Sequence, residues 1–360
     1  VEILHTDSET YVPLFFEIAS LLSPPGDGYL PATFREGVPA RYSRPVRALL
    51  GWISWIREGH PQATLTRMIE DGLVNITWNE EAPLVYARIA ALFRSVPIGG
   101  KAERYLPFLD REIEYVSKGS RFHRDDDADE AFRQEARKRK HKELEALRGL
   151  CGSLLELSGA EEGPLELLKN AETFLSVHAR STNQLDEYSR RLLLRYVREL
   201  ISYISEGLPG RDILEWLEEV AQGAMVGGLG PRPGCLYISP LSSGGHSGRP
   251  YTFVVGLDEA RFPGAGLQDP LLLDDERTNI SGRLPTSTGR TEQKVMGLAR
   301  LFSRLRGHVT LSCPSRSLED DRDLFPSTAL MSAFRILSGN KQGVLEDLEK
   351  FPELLEAEGA

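Results

Sequence analysis

The apolar positions change period twice along the chain. A short apolar run, Val1–Leu4, predicts a buried strand, and Asp7 and Ser8 follow as candidate N-caps of a helix whose apolar periodicity runs from about Tyr11 to Leu22. Pro24, Pro25, Gly26 and Gly28 end that helix, and Ala32–Phe34 predicts a second strand. The opening is therefore β-α-β.

From about Arg44 to Gln222 the spacing is helical almost throughout. Val46, Leu49, Leu50, Ile53 and Ile56 recur on one face, as do Tyr86, Ile89, Ala90, Leu92 and Phe93. A long helix is expected from Glu130 to about Leu157, ended by the Ser158–Gly163 break, with others near Leu165–Ala179, Asp186–Ser205 and Arg211–Val220. Gly227, Gly228, Gly230, Pro231, Pro233 and Gly234 mark a linker. Beyond it strands are expected at Cys235–Ser239, Tyr251–Gly256 and Val309–Cys313, with a helix from about Thr291 to Leu305 and a charged helical tail from Ser332. Two α/β stretches flanking a helical block imply one α/β domain interrupted by a helical one.

Composition narrows this picture. The 360 residues suit two domains, and 41% hydrophobic with 27% charged residues is ordinary for a globular chain. A net charge of −10 argues against a broad basic face, although a local basic groove is compatible with it. Cys151, Cys235 and Cys313 stand far apart, without zinc-site spacing or the density of a disulfide scaffold, so a reducing cytoplasm is expected. No apolar run is long enough for a membrane span, and no signal-peptide pattern opens the chain. It begins at Val1 directly on a strand-like run, which suggests a piece of a longer protein.

The most specific stretch is Phe253-Val254-Val255-Gly256-Leu257-Asp258-Glu259-Ala260-Arg261-Phe262-Pro263-Gly264, followed by Asp269-Pro270-Leu271-Leu272-Leu273-Asp274-Asp275-Glu276-Arg277. An apolar strand runs into a turn, a Phe-Pro corner and an acidic helix start. This resembles the segment after the fifth helicase motif in UvrD-like superfamily 1 proteins, most of all the AddB and RecC-type subunits of helicase–nuclease complexes. His246-Ser247-Gly248-Arg249-Pro250-Tyr251 stands where that family carries a Gly-rich turn. Arg304, on a helix leading into Val309-Thr310-Leu311-Ser312, is similar to the arginine of the sixth motif, which reaches the γ-phosphate across the motor cleft. Leu324-Phe325-Pro326-Ser327 resembles the family's entry to its C-terminal region, and Val1–Leu22 would be the fourth-motif strand and helix.

The chain also departs from the family. Pro250 replaces the acidic residue of the fifth motif, and no fourth-motif arginine stands near His5 and Thr6. No G-x-x-x-x-G-K-[ST] loop is present, so there is no phosphate cradle of that kind. The resemblance thus implies a motor relic that holds or scans DNA.

Blander readings stand beside these. Arg304 also reads as an ordinary exposed arginine on an amphipathic helix, and Asp258 and Glu259 as a solvated turn or helix cap. The run Arg137-Lys138-Arg139-Lys140-His141-Lys142 suits phosphate contact, but it lies between acidic Asp125–Glu130 and Glu143–Glu145, which favours a solvated, salt-bridged face. Ser242–Gly248 lacks the setting of a nucleophile elbow, so a flexible turn is favoured, with DNA or phosphate contact second. The seven histidines form no ligand pair, and Trp52, Trp55 and Trp216 fit core packing better than base stacking.

The expected architecture is α/β: a RecA-like second motor lobe over 1–43 and 228–335, a helical insertion over 44–227, and a helical connector over 336–360. The expected function is that of a UvrD/AddB/RecC-like helicase or helicase–nuclease subunit fragment that handles single-stranded DNA or DNA ends in double-strand-break repair. ATP and Mg²⁺ enter only in the context of the full-length protein. By the resemblance, Gly248, Arg249 and Arg304 face the nucleotide, and Ser243, His246 and Arg249 face DNA. The alternative is a helical scaffold that binds a partner helicase or nuclease subunit without touching DNA. A free-standing nuclease is the weakest reading, because no D-…-[DE]-x-K arrangement is found. Neither a membrane nor a resident metal is expected.

Overall fold

The computed structural model describes residues 1–22, 30–80, 83–118, 127–159, 163–205, 212–264, 266–317 and 321–351, without the side chains of 127–133 and 205. Pro24, Pro25, Gly26, Gly28, Asp125, Asp126, Ala160, Glu161, Glu162 and Arg211 lie outside the described residues, as do the side chains of Asp127, Asp129 and Glu130. The chain divides into two compact units, one of residues 1–38 with 227–360, the other of residues 39–226.

The first unit opens with β1 (Glu2–His5), α1 (Ser8–Leu21) and β2 (Ala32–Phe34). Asp7 caps α1, its carboxylate accepting from the Glu9 N–H at 3.0 Å and from the Thr10 hydroxyl at 2.5 Å. The unit of residues 39–226 then supplies α2 (Arg44–Arg57), α3 (Gln62–Glu70), α4 (Tyr86–Ser95), α5 (Tyr105–Lys118), α6 (Asp127–Glu156), α7 (Pro164–Thr173), α8 (Gln184–Ser205) and α9 (Ile213–Gly223). Its core gathers the periodic positions of these helices, among them Leu49, Trp52, Ile53, Ile89, Phe93, Leu147 and Phe174. Trp52 stacks on Phe174 with ring centroids 5.1 Å apart. The Trp55 indole N–H donates to the Tyr105 hydroxyl, which donates to the His60 carbonyl, both at 2.9 Å. The polar ends of Trp55 and Tyr105 are thereby satisfied inside the core.

The chain returns to the first unit with β3 (Leu236–Pro240), β4 (Tyr251–Val255), α10 (Asp274–Ile280), α11 (Ser287–Phe302), β5 (His308–Leu311), α12 (Thr328–Ser338) and α13 (Leu345–Glu349). The five strands form one parallel sheet in the order β2-β3-β1-β4-β5. Ile3 lies between Ile238 and Phe253, and Leu4 between Ser239 and Val254. Parallel register puts Leu4 and Val254 on one face, where they share a core with Leu298 and Leu301 of α11 and with Leu257 and Phe262. Ile3, Phe34 and Phe253 project to the other face, where Phe34 meets Phe16 of α1 with ring centroids 6.3 Å apart.

Three connections shape this unit. The α1 crossover leads from β1 away to β2, whereas β3 passes over β1 to β4, and β4 continues to β5 through α11. The β3–β4 crossover contains only the 3₁₀ turn Leu241–Ser243 and an irregular, bent stretch. It lies close against the sheet because two positions lack a side chain. A Cβ on Gly244 would collide with Leu4, and one on Gly245 would stand 2.6 Å from Leu301 Cδ1.

Candidate functional site

Open parallel sheets bind ligands beyond the carboxyl ends of their strands, where neighbouring connections diverge. Here that place lies between β1, whose chain leaves toward β2, and β4, whose chain leaves toward β5. Four residues occupy it. The Thr6 hydroxyl donates to the Gly256 carbonyl at 2.8 Å. Gly256 has φ +80°, and a Cβ there would clash with Thr6 Oγ1 and stand 2.7 Å from Tyr11 Cε2. Arg261 lies over the Tyr11 ring, 6.0 Å from its centroid.

Asp258 organises the corner that follows β4. It is fully buried, accepting from the backbone N–H groups of Ala260 (3.1 Å) and Arg261 (3.0 Å) through Oδ1 and from Arg261 Nη1 (3.0 Å) through Oδ2. Arg261 Nε also lies 3.8 Å from Asp7 Oδ2. Burial works against the Arg261 charge, but Asp258, Tyr11 and Asp7 outweigh it, so its proton is held more tightly than usual. Burial raises the pKa of the Tyr11 hydroxyl, and Cys313, beyond β5, is raised by burial and by Asp258. Asp258 is thus a turn cap, as the sequence allowed, but a buried and ion-paired one. Chain turns at Ala260–Gly264 follow it, with Phe262 extended and a cis Phe262–Pro263 bond. The Glu259 N–H donates to the Phe325 carbonyl, and the Ser327 N–H to the Leu257 carbonyl, which ties the Leu324–Ser327 segment to the corner.

The candidates chosen from sequence lie mostly at the opposite, amino end of the sheet. Ser243 is the exception, since it follows β3 and its hydroxyl pairs with that of Ser239 at 3.2 Å. From there the crossover descends through His246 and Gly248 to Arg249, two residues before β4. The crossover is pinned in place. Glu2 is a buried carboxylate in the central strand, accepting from the Gly245 N–H at 3.2 Å and from the Ser247 hydroxyl at 2.6 Å. Arg304, exposed just past the end of α11, lies 3.1 Å from His246 Nε2 through Nη1, and Arg249 Nη2 donates to the Arg232 carbonyl at 2.5 Å. The structure therefore joins Arg304 to His246 and sets Arg249 at the same end of the sheet, with Ser243 at the other.

No protein-family model matches this chain, and no curated protein matches it.

Four of the five Lys and Arg side chains of the basic run have internal partners. Arg137 donates to the carbonyls of Val116 (2.5 Å) and Ser117 (3.0 Å), which close α5. Arg139 pairs with Glu143 at 3.1 Å, Lys140 with Glu112 at 2.9 Å and Lys142 with Glu80 at 2.7 Å. Trp52 and Trp55 are buried, and Trp216 packs against the helical core. Among the described residues, no group of three His, Cys, Asp or Glu side chains is placed to hold a metal ion, and no helix is long and apolar enough to cross a membrane.

Sequence reasoning did not single out Glu2, Tyr11 or Arg261. For Glu2 a signal was present: a carboxylate inside a short apolar strand requires buried donors.

Proposed function

We propose that this chain is a second-motor-lobe fragment of a UvrD-like protein, of the AddB/RecC type, that handles single-stranded DNA or DNA ends in double-strand-break repair and recombination. On this reading the parallel sheet is the RecA-like lobe and residues 39–226 are its helical insertion. One observation carries the reading. The segments that resemble the fourth, fifth and sixth motifs are far apart in sequence, yet β1, β4 and the α11–β5 turn are neighbours in a single parallel sheet. On this reading Gly248, Arg249 and Arg304 form the nucleotide-facing edge and His246 and Arg249 contact DNA, while Ser243 stands apart from them at the carboxyl end of β3. ATP and Mg²⁺ enter this reading only in the context of the full-length protein. A cytoplasmic setting and a second helicase or nuclease subunit complete the picture.

The test is a fluorescence-anisotropy titration of the chain with a labelled single-stranded oligonucleotide over a range of salt. The expected result is binding whose log K falls linearly with log salt, by roughly 0.7 per neutralised phosphate, with no phosphate release from ATP. Absence of binding at low salt refutes the reading.

One observation favours a helical scaffold that leaves DNA alone. Three cations of the most basic run already hold carboxylates and a fourth holds helix-end carbonyls, so that face carries little free positive charge. Absence of oligonucleotide binding, together with capture of a partner subunit, supports that alternative.

A further inference from the structure

The amino end of β4 and β5 differs from the basic run in one physical respect. Among the described residues, Arg249, Arg304 and Arg306 take part in no ion pair. Arg249 Nη2 donates to the Arg232 carbonyl and Arg304 Nη1 lies 3.1 Å from His246 Nε2, so each guanidinium is oriented without a carboxylate partner. Arg249 and Arg306 precede neighbouring strands, which are joined by the His308 N–H donating to the Pro250 carbonyl at 2.9 Å. Gly307, with φ +79°, allows the close approach to Pro250 that sets them side by side. Two arginines without an ion pair thus precede neighbouring strands at one edge of a chain whose net charge is −10.

Beside the edge lies a bare sheet face. Parallel sheets are normally covered on both faces, but Tyr251 is 49% and Phe253 39% exposed on the face opposite Leu4 and Val254. Tyr251 stacks on His308 of the edge strand, with centroids 5.3 Å apart and planes at 13°. His308 is itself exposed. A two-ring stack with open surface, continuous with unpaired arginines, is the pairing of features that holds single-stranded nucleic acid: bases extend the stack while cations neutralise the backbone.

We propose that single-stranded DNA binds across the amino end of β4 and β5, its bases stacking on Tyr251 and His308 and its phosphates meeting Arg249 and Arg306. This rests on the DNA-handling reading and locates its contact. Phe253, one strand pleat further on the same face, continues the platform.

The test titrates the full chain and its variants with labelled oligothymidylate and with an abasic oligomer of equal length. Tyr251→Ala and His308→Ala are each expected to weaken oligothymidylate binding roughly 5- to 150-fold and to leave abasic binding unchanged. Tyr251→Phe, which keeps the ring, is expected to bind like the parent. Arg306→Gln is expected to lower the magnitude of the salt slope by about 0.7 for both oligomers. Circular dichroism of each variant separates lost folding from lost binding. If the parent binds DNA and folded Tyr251→Ala and His308→Ala variants bind equally well, the platform is wrong and the DNA-handling reading stands. If the parent binds no DNA, both fall. If it instead self-associates and Tyr251→Ala abolishes this, the face belongs to a protein partner and the proposal is overturned.

Discussion

Replacing Asp258 tests whether one buried carboxylate sets the corner after β4. Asp258→Ala removes two acceptors for backbone N–H groups and one for a guanidinium, all at 3.0–3.1 Å. All three bonds end on an ionised carboxylate and contribute about 1.5 kcal/mol each. The Arg261 side chain is 24% exposed and recovers part of its loss from water. The net cost is therefore about 3 kcal/mol, short of what a wholly enclosed orphan charge exacts. Asp258→Asn retains an amide oxygen for the two N–H groups but loses the charge and the acceptor for Arg261 Nη1, so about 2 kcal/mol is expected. Urea unfolding followed by far-UV circular dichroism measures the ranking, parent above Asn above Ala. Hydrogen exchange adds location, because the Leu257, Glu259 and Ser327 amides are bonded to Ser312, Phe325 and Leu257 carbonyls around the corner. Their exchange accelerates in Asp258→Ala. An Ala variant within about 0.5 kcal/mol of the parent, or unchanged exchange at those amides, refutes the reasoning.

Other expectations follow from the same geometry. Gly256→Ala places a methyl group against Thr6 and Tyr11 at φ +80°, and melting should show a loss of at least about 2 kcal/mol. Burial lowers the pKa of His5, His60 and His178 below the ordinary 6.5. The unfolded chain therefore takes up protons that the folded chain refuses, and thermal stability should fall as pH drops through about 6.5. A flat profile there refutes this, and His178→Phe should reduce the slope. Cys151 is fully buried, and burial pushes its thiol far above the usual range. Mass spectrometry after iodoacetamide treatment should find Cys151 unmodified in the native protein and modified in urea.

The strands and most helices were legible because their periods are clean. Ala32–Phe34 matches to the residue, and Tyr251–Gly256 overshoots by one. The predicted helix Thr291–Leu305 instead starts at Ser287, where the Thr286 hydroxyl caps it by accepting from the Gly289 N–H. It also ends at Phe302, so Arg304 lies on the turn beyond it. The predicted helix Leu165–Ala179 ends as an α-helix at Thr173, and Phe174–His178 widens into a π-turn. The candidate site was less legible, since its partners are distant in sequence. Nothing local to Ser242–Gly248 announces that Glu2 fastens it from 243 and 245 residues away. Composition favours a flexible turn there, whereas Gly244 and Gly245 serve close approach to Leu4 and Leu301. Likewise the basic run shows its charge in sequence, but Glu112 and Glu80, which quench it, come from elsewhere in the helical unit.

The tryptophans carry a practical consequence. All four of them (Trp52, Trp55, Trp78 and Trp216) fall within residues 39–226, and the sheet unit has none. Indole emission is therefore a private signal of the helical unit, while the unit with the exposed Tyr251–His308 stack is dark at those wavelengths. A Phe253→Trp substitution would give the sheet face its own lamp, and quenching of that added emission by a bound base would report occupancy directly.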